Sequence, residues 1–273
     1  MAAQASKSPV RVSSYRVLGE GSSLLINLVM VVGLIVVWWL VTELGLVRPL
    51  FIPKPSSVWH AFQQALDGEL DNATLLIHFS WSLFRVGSAF VLAVLIGVPI
   101  GILMGVSRIA RGIFDPPIEF YRPLPPLAYL PLMIIWFGIG ETSKILLIFL
   151  ACLAPVALAA RAGVRSASQE QIQAALSMGA SKLQVILHVI IPSALPDIIV
   201  GLRIGMGVGW TTLVAAEMVA ATAGLGQMVL NASNFLRTDV VVLGIILIGL
   251  IAYAFEIGMR YLERWLVPWK GKG

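Results

Sequence analysis

The chain has 273 residues, 19 basic and 14 acidic, for a net charge of +5, and 58% of its residues are hydrophobic. Only 12% are charged, where a soluble domain has about 25%, and the mean hydropathy is +0.91. These proportions exclude an ordinary water-soluble globule and a disordered chain. They fit an all-α protein that crosses a membrane several times, with about 20 mainly apolar residues per crossing.

Residues 1–22 are polar and include Lys7, Arg11 and Arg16; they read as a cytoplasmic tail and not as a cleavable signal. Six apolar stretches follow, predicting six transmembrane helices. Leu24–Thr42 is the first, closed by the interfacial pair Trp38–Trp39. A Pro-rich and then amphipathic extracytoplasmic segment, Arg48–Leu70, leads on to Phe79–Val106, which carries Arg85 near its start. Leu124–Ile139 is short and holds Pro125, Pro126 and Pro131, so a kinked or partly unwound helix is expected there. Ile145–Ala160, Pro196–Ala221 and Val240–Tyr261 complete the set. The lone Cys152 lies in an apolar run and reads as packing.

With the N-terminus placed inside, the inner segments hold thirteen Lys and Arg, Arg122 among them, and the outer segments four. That bias puts both termini in the cytoplasm and explains the basic charge without nucleic acid. The layout predicted is a tail (1–22), a first span with its outer segment (23–78), a core (79–261) containing a cytoplasmic loop (162–191), and a second tail (262–273).

No catalytic or metal-binding pattern stands out. Gly138–Lys144 fails as a phosphate-binding loop, with Ser143 where the second glycine belongs, and the three histidines show no ligand spacing. No cofactor, metal or catalytic residue is predicted. Gly97, Gly101 and Gly105, and likewise Gly201, Gly205 and Gly209, form overlapping GxxxG units. Such faces permit close helix packing, or sliding during a transport cycle, and spacing alone does not choose between them.

The loop from Gln169 is a good helix former stopped by Gly179, and a second helix can run from Ser181 towards Pro192. The small residues Ala174, Ala175, Gly179, Ala180 and Ser181 ring the bend. It reads equally as a helix-in-groove contact for another protein and as an inert connection.

From Gln173 the loop resembles the "EAA–three residues–G–nine residues–I–x–L–P" signature of the permease subunits of binding-protein-dependent ABC importers. Ala174, Ala175, Gly179 and Pro192 match it, while Gln173 stands for its Glu, and Val189 and Ile191 for its Ile and Leu. The resemblance runs from about Leu40 to Trp269 and, through blocks such as Tyr121–Ala128, Ile135–Ile145 and Gly207–Glu217, is closest to the taurine members of the nitrate/sulfonate/taurine branch. It implies a type I (MetI-like) fold with a type-1 transmembrane core in the bacterial inner membrane. It also implies a homodimer, two cytoplasmic ATPase subunits gripping the loop at Gln173–Ser181 and Pro192, and a periplasmic solute-binding protein. The implied cargo is taurine or a related small sulfonate. Nitrate or another alkanesulfonate is the alternative cargo, and a self-contained secondary transporter or channel the alternative class.

Arg203 and Glu217, fourteen residues or about 21 Å apart along one helix, are too distant to pair with each other. Each therefore needs another partner or water. Trp210, Thr211, Thr212 and Glu217 are the candidates to line a pathway, with a purely structural role as the alternative; Glu141 and Lys144 are expected to be turn residues.

Overall fold

The computed structural model describes residues 24–68 and 73–268, and no strand occurs among them. The predicted tail at 1–22 and the end of the second tail lie outside the described residues. The chain forms two units, residues 1–47 and 48–273.

The first unit is built on α1 (Leu24–Glu43), which has no ionisable residue before Glu43. Its apolar side chains stand exposed nearly all round, and only 6% of its most apolar stretch is buried. Such a helix is untenable in water and at home in hydrocarbon.

In the second unit, α2 (Pro55–Asp67) starts on Pro55, whose missing N–H costs nothing at a first helical position. It buries Val58, Ala61 and Ala65 on one stripe. Gln64 Oε1 accepts from Arg237 Nη2 at 3.1 Å, and the Thr238 hydroxyl donates to the Pro49 carbonyl at 3.3 Å. The Pro-rich segment thus packs with the later helices of its own unit.

Three long helices form the heart of the bundle: α3 (Leu75–Val106), α6 (Glu141–Gly163) and α9 (Ile191–Ala220). α3 buries Ser82, Val86, Ala89, Ala93, Gly97, Gly101 and Met104, three or four residues apart, so one stripe faces inward. α6 is the most buried of the long helices, with 44% of its most apolar stretch enclosed. Ile148 and Cys152 of α6 pack with Ala89 and Ala93 of α3 and with Met206, Trp210 and Leu213 of α9. α11 (Thr238–Leu266) closes the side, Met259 and Val267 joining the cluster around Val156 and Ile198.

Among the described residues five single helices are each long and apolar enough to cross a membrane, and the third predicted span is the one that is not a continuous helix. Where the sequence predicts a third span at Leu124–Ile139, the chain makes a 3₁₀ turn (Pro126–Tyr129) and the eight-residue α5 (Leu130–Phe137). These are preceded by α4 (Arg108–Tyr121), capped by Ser107, whose hydroxyl accepts from the Ala110 amide at 3.3 Å. Pro123, Pro125 and Pro126 remove donors in close succession between the two pieces, so no continuous ladder forms. α4 is held to α6 by the Asp115–Arg161 ion pair. The sequence reading assigns no element to α4, nor to α10 (Leu225–Asn234); both are short and amphipathic, without a span's continuous apolar run. The other spans run several residues beyond their apolar stretches, because a helix keeps its ladder as it passes into water.

Candidate functional site

The 162–191 loop folds as two helices around a tight bend. α7 (Gln169–Ser177) starts at a capping box: the Ser168 hydroxyl accepts from the Gln171 amide at 3.2 Å, and Gln171 Oε1 accepts from the Ser168 amide at 3.2 Å. Ser181 and Gln184 repeat the device at the start of α8 (Lys182–Val185), with distances of 3.4 and 2.8 Å. Between them Gly179 sits at φ +87°, where a side chain would be strained. The Ala180 amide donates to Ala175 O at 3.1 Å and the Gly179 amide to Leu176 O at 3.0 Å, the Schellman pattern that ends a helix on a glycine.

The bend presents Gln173, Ala174, Gly179 and Ser181 outward, with Met178 at its tip 82% exposed. Its underside is anchored, for Ala175, Val185 and Ile190 pack with Val164 and with Ile102 of α3. The chain does not stop at Pro192. A π-helical turn, Ile186–Ile190, joins α8 to α9. Its wider winding accommodates the ring of Pro192, which would otherwise press on the carbonyl four residues earlier.

At the opposite end of the bundle lies a cluster of four charges that the sequence reading does not assemble. Arg85 is 1% exposed and Glu217 0%. Arg85 grips Glu141 with two hydrogen bonds, Nε to Oε2 at 2.5 Å and Nη2 to Oε1 at 2.9 Å. Its Nη1 donates to Glu217 Oε1 at 2.7 Å and to the Ala223 carbonyl at 2.6 Å. Lys144 Nζ donates to Glu141 Oε1 at 2.8 Å. Glu217 also accepts from the Ser82 hydroxyl at 2.8 Å and from the Gly226 amide at 2.9 Å.

The cluster, two cations and two anions, is neutral and ties α3, α6 and α9 to the turn before α10. Gly224 in that turn has φ +142°, and a Cβ there would overlap the Glu217 carboxylate. His78 adds a further link, its Nδ1 accepting from the Gly224 amide at 3.0 Å. Glu141 and Lys144 are therefore not mere turn residues, because Lys144 is buried and both belong to this network. The signal in the sequence is matched depth: Arg85, Glu141, Lys144 and Glu217 all lie towards the same end of the bundle.

The glycine faces converge on one helix. Cβ atoms added at Gly97, Gly101 and Gly105 would meet Val156, Ala157, Ala160 and Val164 on or just beyond α6. Those at Gly201, Gly205 and Gly209 would meet Ala159, Val156 and Cys152 on α6's other side. Of the residues expected along a pathway, Thr211 is exposed, whereas Trp210, Thr212 and Glu217 are buried within the chain. Arg203 finds its partners on α11, donating to Glu263 Oε2 at 2.6 Å with Glu256 at 3.6 Å.

Residues 97–268 match the family described as binding-protein-dependent transport system inner membrane component. The taurine transport system permease protein TauC of Escherichia coli K12 is 57% identical over 241 residues, 88% of this chain and 87% of that protein. A putative aliphatic sulfonates transport permease protein, SsuC, of the same organism is 36% identical, covering 87% of this chain and 89% of its own length. The MetNI methionine ABC transporter, solved in inward-facing conformations, contains a chain that superposes with a TM-score of 0.56 at 22% identity, over 68% of this chain and 95% of that one. That superposition carries the type I fold, and the sequence match carries the lineage: this chain belongs to the inner-membrane components of binding-protein-dependent transport systems.

Proposed function

We propose that this chain is the permease subunit of a bacterial ABC importer and carries taurine or a related small sulfonate inward across the inner membrane. The observation that carries the cargo is the 57% identity with a taurine permease along 88% of the chain. Two copies enclose the pathway, and a periplasmic binding protein delivers the solute. Two cytoplasmic ATPase subunits hold the bend at Gln173, Ala174, Ala175, Gly179, Ala180, Ser181 and Pro192. The chain hydrolyses nothing itself. Both termini face the cytoplasm, residues 1–22 and 262–273 are tails, and 79–261 form the working core.

Energy then arrives as movement. An exposed apolar tip at Met178, flanked by small residues, suits a partner's groove. The packing of Ala175 and Val185 against Val164 and Ile102 passes any displacement of the bend to α3 and α9 without slack. ATP shifts the permease between its inward and outward states only through contacts that differ in the two states. Thr211 lies on the pathway side of α9, and Trp210, Thr212 and Glu217 brace it from behind.

Reconstitution tests the proposal. Vesicles with permease, ATPase and binding protein are expected to accumulate taurine when ATP is supplied, and permease alone is expected to move none under a proton or sodium gradient. Uptake by the chain alone would make it a secondary transporter. Competition by ethanesulfonate but not by nitrate is expected, and the reverse order would reassign the cargo.

A further inference from the structure

The break between α4 and α5 opens a cavity of about 420 Å³, within the range of sites that hold one small solute, about 300–1,000 Å³. It is walled by Ala154 and Pro155 from the middle of α6 and by Ile204 and Val208 from the middle of α9. The cavity thus lies at mid-bundle depth. Arg122 opens onto it from the break itself. The positive-inside reading places Arg122 among the cytoplasmic cations, but its neighbours set it deep, past the helical C-terminus of α4.

Arg122 differs from the other deep cations of the bundle. Arg85 and Lys144 are locked in the neutral cluster, and Arg203 is paired with α11. The Arg122 side chain is 60% exposed and donates no hydrogen bond among the described residues; its one carboxylate neighbour, Glu119, stands 4.0 Å away and is itself 51% exposed. The Tyr121 hydroxyl, on the same cavity wall, is buried with no protein partner among the described residues. A cation at this depth is costly unless it is paired or faces a water-filled cavity, and cations so placed mark solute pathways.

We infer that Arg122 is the cation that receives the sulfonate group of the cargo midway along the pathway, with the Tyr121 hydroxyl beside it. This rests on the sulfonate-importer reading above. The planar guanidinium presents paired N–H donors to two sulfonate oxygens, a geometry an ammonium does not reproduce. Passage requires release as well as capture. Glu119 supplies it, competing for the guanidinium from just outside hydrogen-bond range. Among the described residues of the lining Arg122 alone is charged and, Tyr121 and Tyr129 aside, the others are apolar, so Arg122 sets preference for an anionic solute inside the permease, downstream of the binding protein.

The test uses the complete importer in vesicles, with taurine as cargo. Arg122→Gln is expected to lower the maximal uptake rate at least about tenfold, the scale set by removing one charge-assisted hydrogen bond. Half-saturation, fixed by the binding protein, is expected to stay within about twofold, and the membrane level and the ATPase rate evoked by loaded binding protein to stay unchanged. Arg122→Lys is expected to fall between the two, because it keeps charge but not the fork. Arg122→Cys treated with a cationic aminoethyl thiosulfonate is expected to regain uptake to about the level of Arg122→Lys, whereas a neutral methyl reagent restores none; the buried Cys152 stays unlabelled. Taurine uptake by Arg122→Gln within about twofold of the parent, or equal rescue by the neutral reagent, would overturn the inference. Failure of the parent importer to take up any sulfonate would instead sink the cargo assignment.

Discussion

Glu217 holds Arg85, the Ser82 hydroxyl and the Gly226 amide while wholly shielded from solvent, so its loss leaves part of a buried guanidinium uncompensated. Glu217→Ala is expected to cost about 3–5 kcal/mol, read as a lowered melting temperature in detergent. The pair Arg85→Met with Glu217→Met should recover much of that, because Glu141 keeps Lys144. A double-variant loss equal to the sum of the separate Arg85→Met and Glu217→Met losses would show that the two charges are not coupled. Gly179 makes a different kind of demand. Gly179→Asp places a side chain at φ +87°, a strain of about 1 kcal/mol, on the surface that the proposed ATPase would cover. The expected outcome is protein that reaches the membrane, fails to retain the ATPase in a pull-down and does not transport. Of these two sites only the glycine bend was legible in the chain, because a helix stop is written in adjacent residues. Arg85 meets Glu141 and Glu217 across 56 and 132 positions, and nothing local announces such a meeting.

Among the elements, α6 bears on everything else, since glycine faces from α3 and α9 lie against its two sides. A Cβ at Gly101 would overlap the Ala157 carbonyl, and one at Gly201 the Ala159 methyl. Gly101→Leu and Gly201→Leu are therefore expected to abolish accumulation in the membrane. Gly207→Ala, where nothing lies within 4 Å, should be tolerated and add up to about 1 kcal/mol of helix propensity. A thermal shift in detergent orders the three. The long spans could be seen in the sequence because continuous apolarity is a coarse signal that survives ignorance of partners. α4 and α10 could not, because each is half polar and α4 carries Pro116 and Pro117 in its interior. The prolines that follow α4 create the break at Arg122, and they are readable in the chain as a kinked or partly unwound helix, although nothing in them announces the cavity the break opens.

For the molecule as a whole, sidedness is the decisive property. Met178→Cys, at a position 82% exposed, is expected to react with a membrane-impermeant maleimide in inside-out vesicles and to be protected in right-side-out ones. Labelling from the outer face would invert the topology and with it the direction of transport. The helical run Lys182–Ala220 is unbroken for 39 residues, some 58 Å, and reaches from the bend to the carboxylate of Glu217. A rod of that length neither stretches nor stores slack; a nudge at its foot must reappear at its head as tilt or twist. Its single loosened winding, just beneath Pro192, is where such a shaft turns most freely. The two ends of the shaft consequently cannot be set independently, and under the proposed coupling a stroke at the bend arrives at Glu217 without any relay between.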